Sequence, residues 1–477
     1  MLAFIKKLYL PDGEFYKNVT LLTAPIALQS LITIGVNMLD TIMVGSLGEE
    51  ALAATSLTNQ FITIYHILCL GIGFGASVLV ARYWGMKTQN STSADKALKK
   101  AVCIMYRLCL GMALIFAVLT LCIPETLMHM YTADLEIIRL GSIYFRYSAL
   151  SYFFLGTALV STIILRNVGM AMMPLLVSIG AFFINLIANY AFIFGKLGMP
   201  RMEVAGAAVG TLIARLFEAG IICGYLLLRD KRIGFRPHHI FMKAADILPE
   251  YIRICIPVLI SDAILAFGNN AVAMVIGRLG AAFVAANAIT SVTQQLSTVV
   301  IQGVSQSGSI ITGQILGAGS VSAGLHTEGV AANIKEKALR QGYAFLGIGL
   351  FLGIISALFI LCSSGFIINA YQVSRETASI AQQLMLAISF VIVFQAANNI
   401  MTKGVLRGGG DTRVLMVADN IFLWCLSIPL GMLAGFVFHL PAFWIYTLLK
   451  IDQITKAIWC VYRLQSGKWI KKISTGS

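Results

Sequence analysis

The chain has 477 residues, of which 58% are hydrophobic and only 12% charged. Soluble domains carry about 25% charged residues, so lipid must act as solvent for much of this surface, which excludes an ordinary globular domain. A net charge of +14 raises nucleic-acid binding, which the placement of the charges along the chain excludes below.

The stretch Leu2–Leu10 is short and broken by Lys6 and Lys7, and no signal-peptide cleavage pattern follows it. Twelve apolar runs then predict spans at 20–44, 52–75, 99–123, 137–162, 172–195, 204–228, 252–276, 284–311, 340–366, 378–403, 413–437 and 441–464. Each is about 20 residues or more, enough to cross a hydrocarbon core of about 30 Å. The nine cysteines include no CxxC pair, so neither a disulfide framework nor a zinc site is signalled.

In the first span, Gln29, Thr33, Asn37 and Asp40 follow at steps of four, four and three, which places them on one helix face. A carboxylate near mid-span costs about 2.5–3.5 kcal/mol on insertion scales, so Asp40 should face a partner or a wet cavity. Pro25 in the same span predicts a bendable backbone behind that polar wall. The second span holds His66, read first as a packing histidine, and Gly71-x-Gly73-x-Gly75, read as close helix packing. Asn185 and Asn189 share one face of the fifth span, and Thr211 lies on the sixth. With Asp40 they offer oxygens to a small hard cation, or hydrogen bonds to a carboxyl that changes protonation. The plainer alternative is interhelical polar glue. Arg215 and Glu218, three apart, can neutralise each other locally.

The basic segment 229–250 carries Pro237, Pro249 and His238-His239, and reads as a solvated linker. In the seventh span Ser261, Asp262 and Asn269 form a second polar stripe; Asn398 and Lys403 lie on the tenth and Asp419 on the eleventh. Two structural pairs are expected, Asp419 with Lys403 across helices and Asp452 with Lys456 within the twelfth.

Lys and Arg set the orientation. With the N-terminus inside, the cytoplasmic segments hold 24 of the 35 basic residues and the external loops five, Arg139, Lys196, Arg201, Arg278 and Arg375. The basic excess is therefore a topology signal, with both termini cytoplasmic and the chain in the cell (inner or plasma) membrane. The chain also repeats. Pro25 through Gly48 aligns without gaps on Pro257 through Gly280 at an offset of 232, which pairs Asn37 with Asn269 and Gly85 with Gly317. Leu165-Arg166 with Gly169 matches Leu406-Arg407 with Gly410 at an offset of 241, and the extra nine residues are expected in a loop near Gly317–Ala332. The expected architecture is an all-α membrane protein of twelve transmembrane helices in two pseudo-symmetric six-helix lobes. The divisions are 1–228, a linker at 229–250, and 251–477 with its basic tail. Parallel repeats of this kind place a cavity between lobes near the midplane.

The pattern Pro25…Gln29…Asp40-Thr-Ile-Met-Val-Gly45-x-Leu-Gly48…Ala53-Ala54 resembles the first helix of MATE (multidrug and toxic compound extrusion) transporters. So do Leu165-Arg166…Gly169, Leu406-Arg407-Gly-Gly-Gly-Asp411-Thr412 and Gly206-Ala-Ala-x-Gly210-Thr211, and the likeness covers about residues 15–465. It implies an antiporter that exports amphiphilic, often cationic compounds against a proton or sodium gradient. One MATE branch has acids in helices seven and ten; here helix seven has Asp262, and helix ten has Asn398, Asn399 and Lys403. Another has Asn-x-x-x-Asp on helix five, where this chain reads Asn185-Leu-Ile-Ala-Asn189. The set Asp40, Asn185, Asn189 and Thr211 then carries one formal negative charge, which favours protons over sodium. No cofactor is expected, no metal beyond Na+, no nucleic acid, and a monomer. The absence of GxxxxGK[ST] and HExxH argues against ATP as fuel and against an enzyme. A flippase for lipid-linked substrates keeps the fold, but calls for a cavity rich in Arg and Lys; an intramembrane enzyme calls for acids or histidines at catalytic spacing.

Overall fold

In bilayer, every backbone N–H and C=O must be satisfied within the chain, and helices do this segment by segment. The computed structural model describes residues 13–89, 91–325, 328–371 and 373–471, and these contain helices and no strand. Each of the twelve predicted spans falls on helix. They are α1 (Gly13–Gly45), α2 (Glu49–Lys87), α3 (Thr92–Cys122), α4 (Leu135–Ser148 with Ser151–Asn167), α5 (Met172–Phe194), α6 (Glu203–Arg229), α7 (Leu248–Arg278), α8 (Ala281–Leu325), α9 (Glu328–Ala370), α10 (Arg375–Leu406), α11 (Thr412–Val437) and α12 (Ala442–Leu449 with Ile451–Ser466). Among the described residues nine helices are long and apolar enough to cross a membrane, and ten with α4, which bends by 56°. The other two have identifiable reasons. α8 is threaded with Thr, Ser and Gln, and α12 is broken at Lys450 into two shorter pieces. Leu2–Leu10 lies outside the described residues.

Large apolar side chains stand exposed along the spans. Phe267 is 68% exposed, Met274 71% and Ile42 64%, positions that water would penalise and hydrocarbon does not. α1 runs through Pro25 without a break. Of the loop expected near Gly317–Ala332, the described residues are helix: α8 continues to Leu325 and α9 begins at Glu328, and residues 326–327 lie outside the described residues.

The described chain forms two compact units. The first comprises Leu28–Val80 and Thr92–Tyr251; the second takes residues up to Ala27, Ala81–Ser91 and everything from Ile252. The chain therefore passes from one unit to the other inside α1 and inside α2. Within the first unit, the 229–250 segment is docked on α3. Phe235 stacks on Tyr106 at 5.9 Å, Arg107 Nε donates to the Ile240 carbonyl at 2.7 Å, and Lys100 pairs with Asp246. That ammonium holds the Asp246 carboxyl below its usual range. His238 is exposed, and His239 Nδ1 accepts the Arg236 N–H at 2.8 Å.

In the second unit, the end of α2 crosses α8 backbone to backbone. A Cβ on Gly85 would sit 2.1 Å from the Gln314 carbonyl oxygen, and one on Gly317 would sit 2.1 Å from that of Arg82. These are the same contact twice, since residues 82 and 314, like 85 and 317, are related by the 232-residue offset. The buried guanidinium of Arg82 donates to the carbonyls of Gly409 (2.9 Å) and Lys471 (3.1 Å), and Trp469 packs wholly buried against Gly409. Asp411 is gripped by Arg463 at 2.7 and 3.0 Å. The repeat is also written in the backbone. Gly48 and Gly280 have φ of +126° and +112°, and Gly169 and Gly410 have +81° and +86°, conformations that disfavour a side chain.

Candidate functional site

The site lies in the first unit, where α5 and α6 meet at almost no distance. A Cβ on Gly206 would be 2.5 Å from the Phe192 carbonyl oxygen, and one on Gly210 would be 2.1 Å from Asn189 Oδ1. The Gly206-x-x-x-Gly210 spacing thus lets the backbones touch and fixes the Asn189 amide by contact. Asn189 Nδ2 donates to Asp40 Oδ1 at 2.6 Å and to Asn185 Oδ1 at 3.3 Å. Its own Oδ1 is buried against Gly210 with no hydrogen-bond partner among the described residues.

Asp40 stands in the wall of a cavity of about 460 Å³, together with Thr33, Asn37, Asn185 and Thr211. His66, Tyr144, Arg215 and Glu218 line the same space. The polar stripe read on α1 thus opens onto a cavity for Thr33, Asn37 and Asp40. Gln29 departs from it. Its Nε2 donates to Ser178 Oγ at 2.7 Å, while its Oε1 accepts from Arg166 Nη2 at 2.6 Å. Ser178 in turn donates to Glu218 Oε1 at 3.3 Å, and Glu218 Oε2 pairs with Arg215 at 2.8 Å. The Arg215–Glu218 pair expected from sequence is therefore present, at the end of a relay that starts at buried Arg166. Pro25 is buried in α1 and lies outside the cavity lining.

The second unit holds a parallel network in which the charges sit elsewhere. Arg407, the repeat partner of Arg166, reaches Asp262 Oδ1 at 3.3 Å. Ser261, the partner of Gln29, donates to Asp419 Oδ2 at 3.5 Å, and Asp419 is the 241-offset partner of Ser178. Lys456, at the same offset from Arg215, lies between Asp419 (3.4 Å) and Asp452 (3.1 Å) and is 3% exposed. The expected Asp452–Lys456 pair is thus found. The expected Asp419–Lys403 pair is not: Lys403 is exposed, and the acid turns to the buried ammonium of Lys456. Asn398 donates to Gln453 Oε1 at 2.8 Å, and Asn269 is exposed. Among the described residues, no group of three His, Cys, Asp or Glu is placed to hold a metal ion. The roles of Arg166, Ser178 and Arg407 were missed in sequence, although the Leu-Arg repeat marked two of them.

The family pattern described as MatE matches this chain twice, over residues 25–191 and 257–433, and the two matches open on the repeat-related Pro25 and Pro257. The chain belongs to the MatE family of membrane transporters. A Burkholderia vietnamiensis protein named "Multidrug resistance protein NorM" is 28% identical over 429 residues, covering 86% of this chain and 85% of its own. The Thermotoga maritima "Probable multidrug resistance protein NorM" is 24% identical, covering 98% and 96%. The solved structure described as an outward-facing multidrug resistance MATE transporter has a TM-score of 0.80 at 18% identity, covering 95% of this chain and 96% of that one. This likeness fixes the fold of the MatE chain as the twelve-helix arrangement in two lobes.

Proposed function

We propose that this MatE chain is a secondary antiporter that exports small amphiphilic and cationic organic compounds, driven by the proton gradient, from the cell membrane with both termini cytoplasmic. The observation that carries the reading is Asp40, a carboxylate inside a membrane span, hydrogen-bonded by Asn189 in the wall of a roughly 460 Å³ cavity. The names of the NorM relatives support the class of cargo.

Ionised Asp40 accepts the Asn189 N–H and attracts a cationic cargo strongly, because surroundings of low dielectric screen little. A proton neutralises the carboxylate and removes that attraction, so cargo and proton compete for one group. Asn189 keeps an acceptor in either state, since its Nδ2 also faces Asn185 Oδ1. The same amide favours the proton over sodium. It turns N–H toward Asp40, whereas sodium wants oxygens there, and its own oxygen is wedged against Gly210. Export from sodium-free vesicles under an imposed pH gradient tests this. Sustained uphill transport is expected; strict dependence on added sodium, with no response to the pH gradient, would overturn it.

A further inference from the structure

One face of α3 is apolar, exposed and headed by a charge. Leu108, Leu114, Ile115 and Val118 are 45%, 56%, 55% and 48% exposed. Arg107, Gly111, Leu114, Ile115 and Val118 fall on one stripe of the helix, at steps of three and four. A Cβ on Gly111 would meet nothing within 4 Å, so the stripe has an uncovered recess just beyond Arg107. None of these residues lines the cavity of the first unit. An exposed apolar row on a membrane span has hydrocarbon as its solvent. Arg107 is also exposed. Its Nε donates to the Ile240 carbonyl at 2.7 Å, and Cys103 Sγ, one turn earlier, donates to the same oxygen at 3.2 Å. That shared carbonyl fixes the plane of the guanidinium and sets the next residue, Phe241, beside the stripe. Phe241 is 84% exposed. A guanidinium has five N–H donors. The four on the Nη atoms of Arg107 have no partner among the described residues, and Arg107 makes no ion pair there.

Arg107 lies fifteen residues, about 22 Å, from the end of α3 at Cys122. A hydrocarbon core of about 30 Å measured from that end encloses its Cα, and the long side chain reaches the boundary, where lipid phosphates begin. An unpaired charge at this depth calls for a partner, and the chain supplies none. We propose that Arg107, Gly111 and Phe241 form a binding site for one anionic phospholipid, of the cytoplasmic leaflet under the topology proposed above. The Arg107 fork takes the phosphate through two parallel N–H bonds. An acyl chain lies in the recess at Gly111 along the α3 stripe, and the Phe241 ring enters the headgroup boundary beside it. The site selects for net charge. A phosphatidylethanolamine phosphate arrives with an ammonium, which Arg107 and exposed Lys243, two residues past Phe241, repel; phosphatidylglycerol brings the negative charge alone. The lipid thereby joins α3 to the 229–250 segment docked on it.

The test follows thermal unfolding of the full chain in detergent micelles titrated with dioleoyl phosphatidylglycerol or dioleoyl phosphatidylethanolamine, and needs neither transport nor a known orientation. Wild type should reach half of its stabilisation at about tenfold less phosphatidylglycerol, the scale of a charge-assisted hydrogen-bonded pair. Arg107→Gln should remove that preference. A purely structural role for Arg107 would instead lower the melting temperature equally with both lipids and keep the preference, which overturns the proposal. Lys231→Gln takes one positive charge from an exposed position of the same segment and should keep the preference; losing it there as fully as in Arg107→Gln shows unspecific charge attraction and overturns the site. Phe241→Ser should weaken phosphatidylglycerol severalfold, and no change overturns the part given to the ring. Inorganic phosphate in lipid-free micelles should not reproduce the stabilisation; if it does, the site takes a free anion and the lipid assignment falls. Should Arg107→Gln not fold, Arg107→Lys decides, because it keeps the charge but loses the fork: an undiminished preference overturns the proposal, and a reduced one supports it.

Discussion

Replacing Gly210 by Ala should uncouple the transporter through a residue that the substitution does not touch chemically. The new Cβ would stand 2.1 Å from Asn189 Oδ1 and 3.0 Å from the Asn189 backbone nitrogen, where ordinary contact begins at 3.4 Å. The amide must therefore retreat by about 1 Å. Its bond to Asp40, now 2.6 Å, then lengthens past the range in which a hydrogen bond counts. A hydrogen bond to a charged group is worth about 1.5–3 kcal/mol, roughly a 10- to 100-fold change in the population that depends on it. Uphill transport by Gly210→Ala should accordingly fall about tenfold or more at unchanged protein level. Gly206→Ala provides the comparison. Its Cβ meets the Phe192 carbonyl at 2.5 Å, on the same α5–α6 contact but a turn away from Asn189. Overpacking costs about 1–3 kcal/mol in either variant, so both should lose similar thermal stability in detergent. Equal losses of transport in the two would refute the argument that Gly210 acts through Asn189.

Asp40→Asn should abolish coupled export while the protein stays folded in the membrane; normal dye efflux at wild-type expression would sink its assignment. Single cysteines at positions 231 and 201, in a cysteine-free background, should differ on intact cells: an impermeant thiol reagent should label 201 and spare 231, and the reverse pattern would invert the topology. Lys456→Met leaves Asp419 and Asp452 buried without their shared cation, which costs about 3–5 kcal/mol. Thermal unfolding in detergent should fall sharply and recover in part when both acids are also changed to Asn; no loss in the single variant would show that the triad is not a stabilising unit.

The twelve spans, the twofold repeat of six spans and the face of α1 that meets the cavity were legible because each rests on local sequence pattern. The hydrophobic runs fix the spans, and three- and four-residue steps fix the face. Partner choice was less legible. The step from Asp452 to Lys456 lies within one helix and was readable, as was that from Arg215 to Glu218. Asp419 was assigned to Lys403 because both lie on successive helices, but which way a side chain points across a bundle depends on helix rotation, and Lys403 points outward. The nine-residue excess reads as a loop from its Gly and Ser content, yet α8 runs on to Leu325. Glycine there serves close crossing at Gly317 rather than a turn. Gln29 shows the limit most plainly. It sits on the predicted face, but two distant partners, Ser178 and Arg166, draw it into the protein interior.

A difference between the two repeats supports placing the proposed coupling in the first. Position 272 corresponds to Asp40, and it is Val272, 4% exposed in the apolar core of the second unit. Positions 426 and 430 correspond to Asn185 and Asn189, and both are leucine. The second unit thus lacks the carboxylate and both amides, although it retains the scaffold: Arg407 stands for Arg166, Lys456 for Arg215, and the left-handed glycines match. Its four aspartates among the described residues are committed, Asp262 to Arg407, Asp419 and Asp452 to Lys456, and Asp411 to Arg463. A carboxylate already held by a fixed cation gains less from an incoming ion than one held only by a neutral amide. In the first unit Glu218 is held in that way, whereas Asp40 makes no ion pair among the described residues and accepts its hydrogen bond from Asn189. The same backbone repeat therefore yields one unit whose aspartates are held by cations and one that keeps a carboxylate facing open space, which is where the export proposed above places its exchange of proton and cationic cargo.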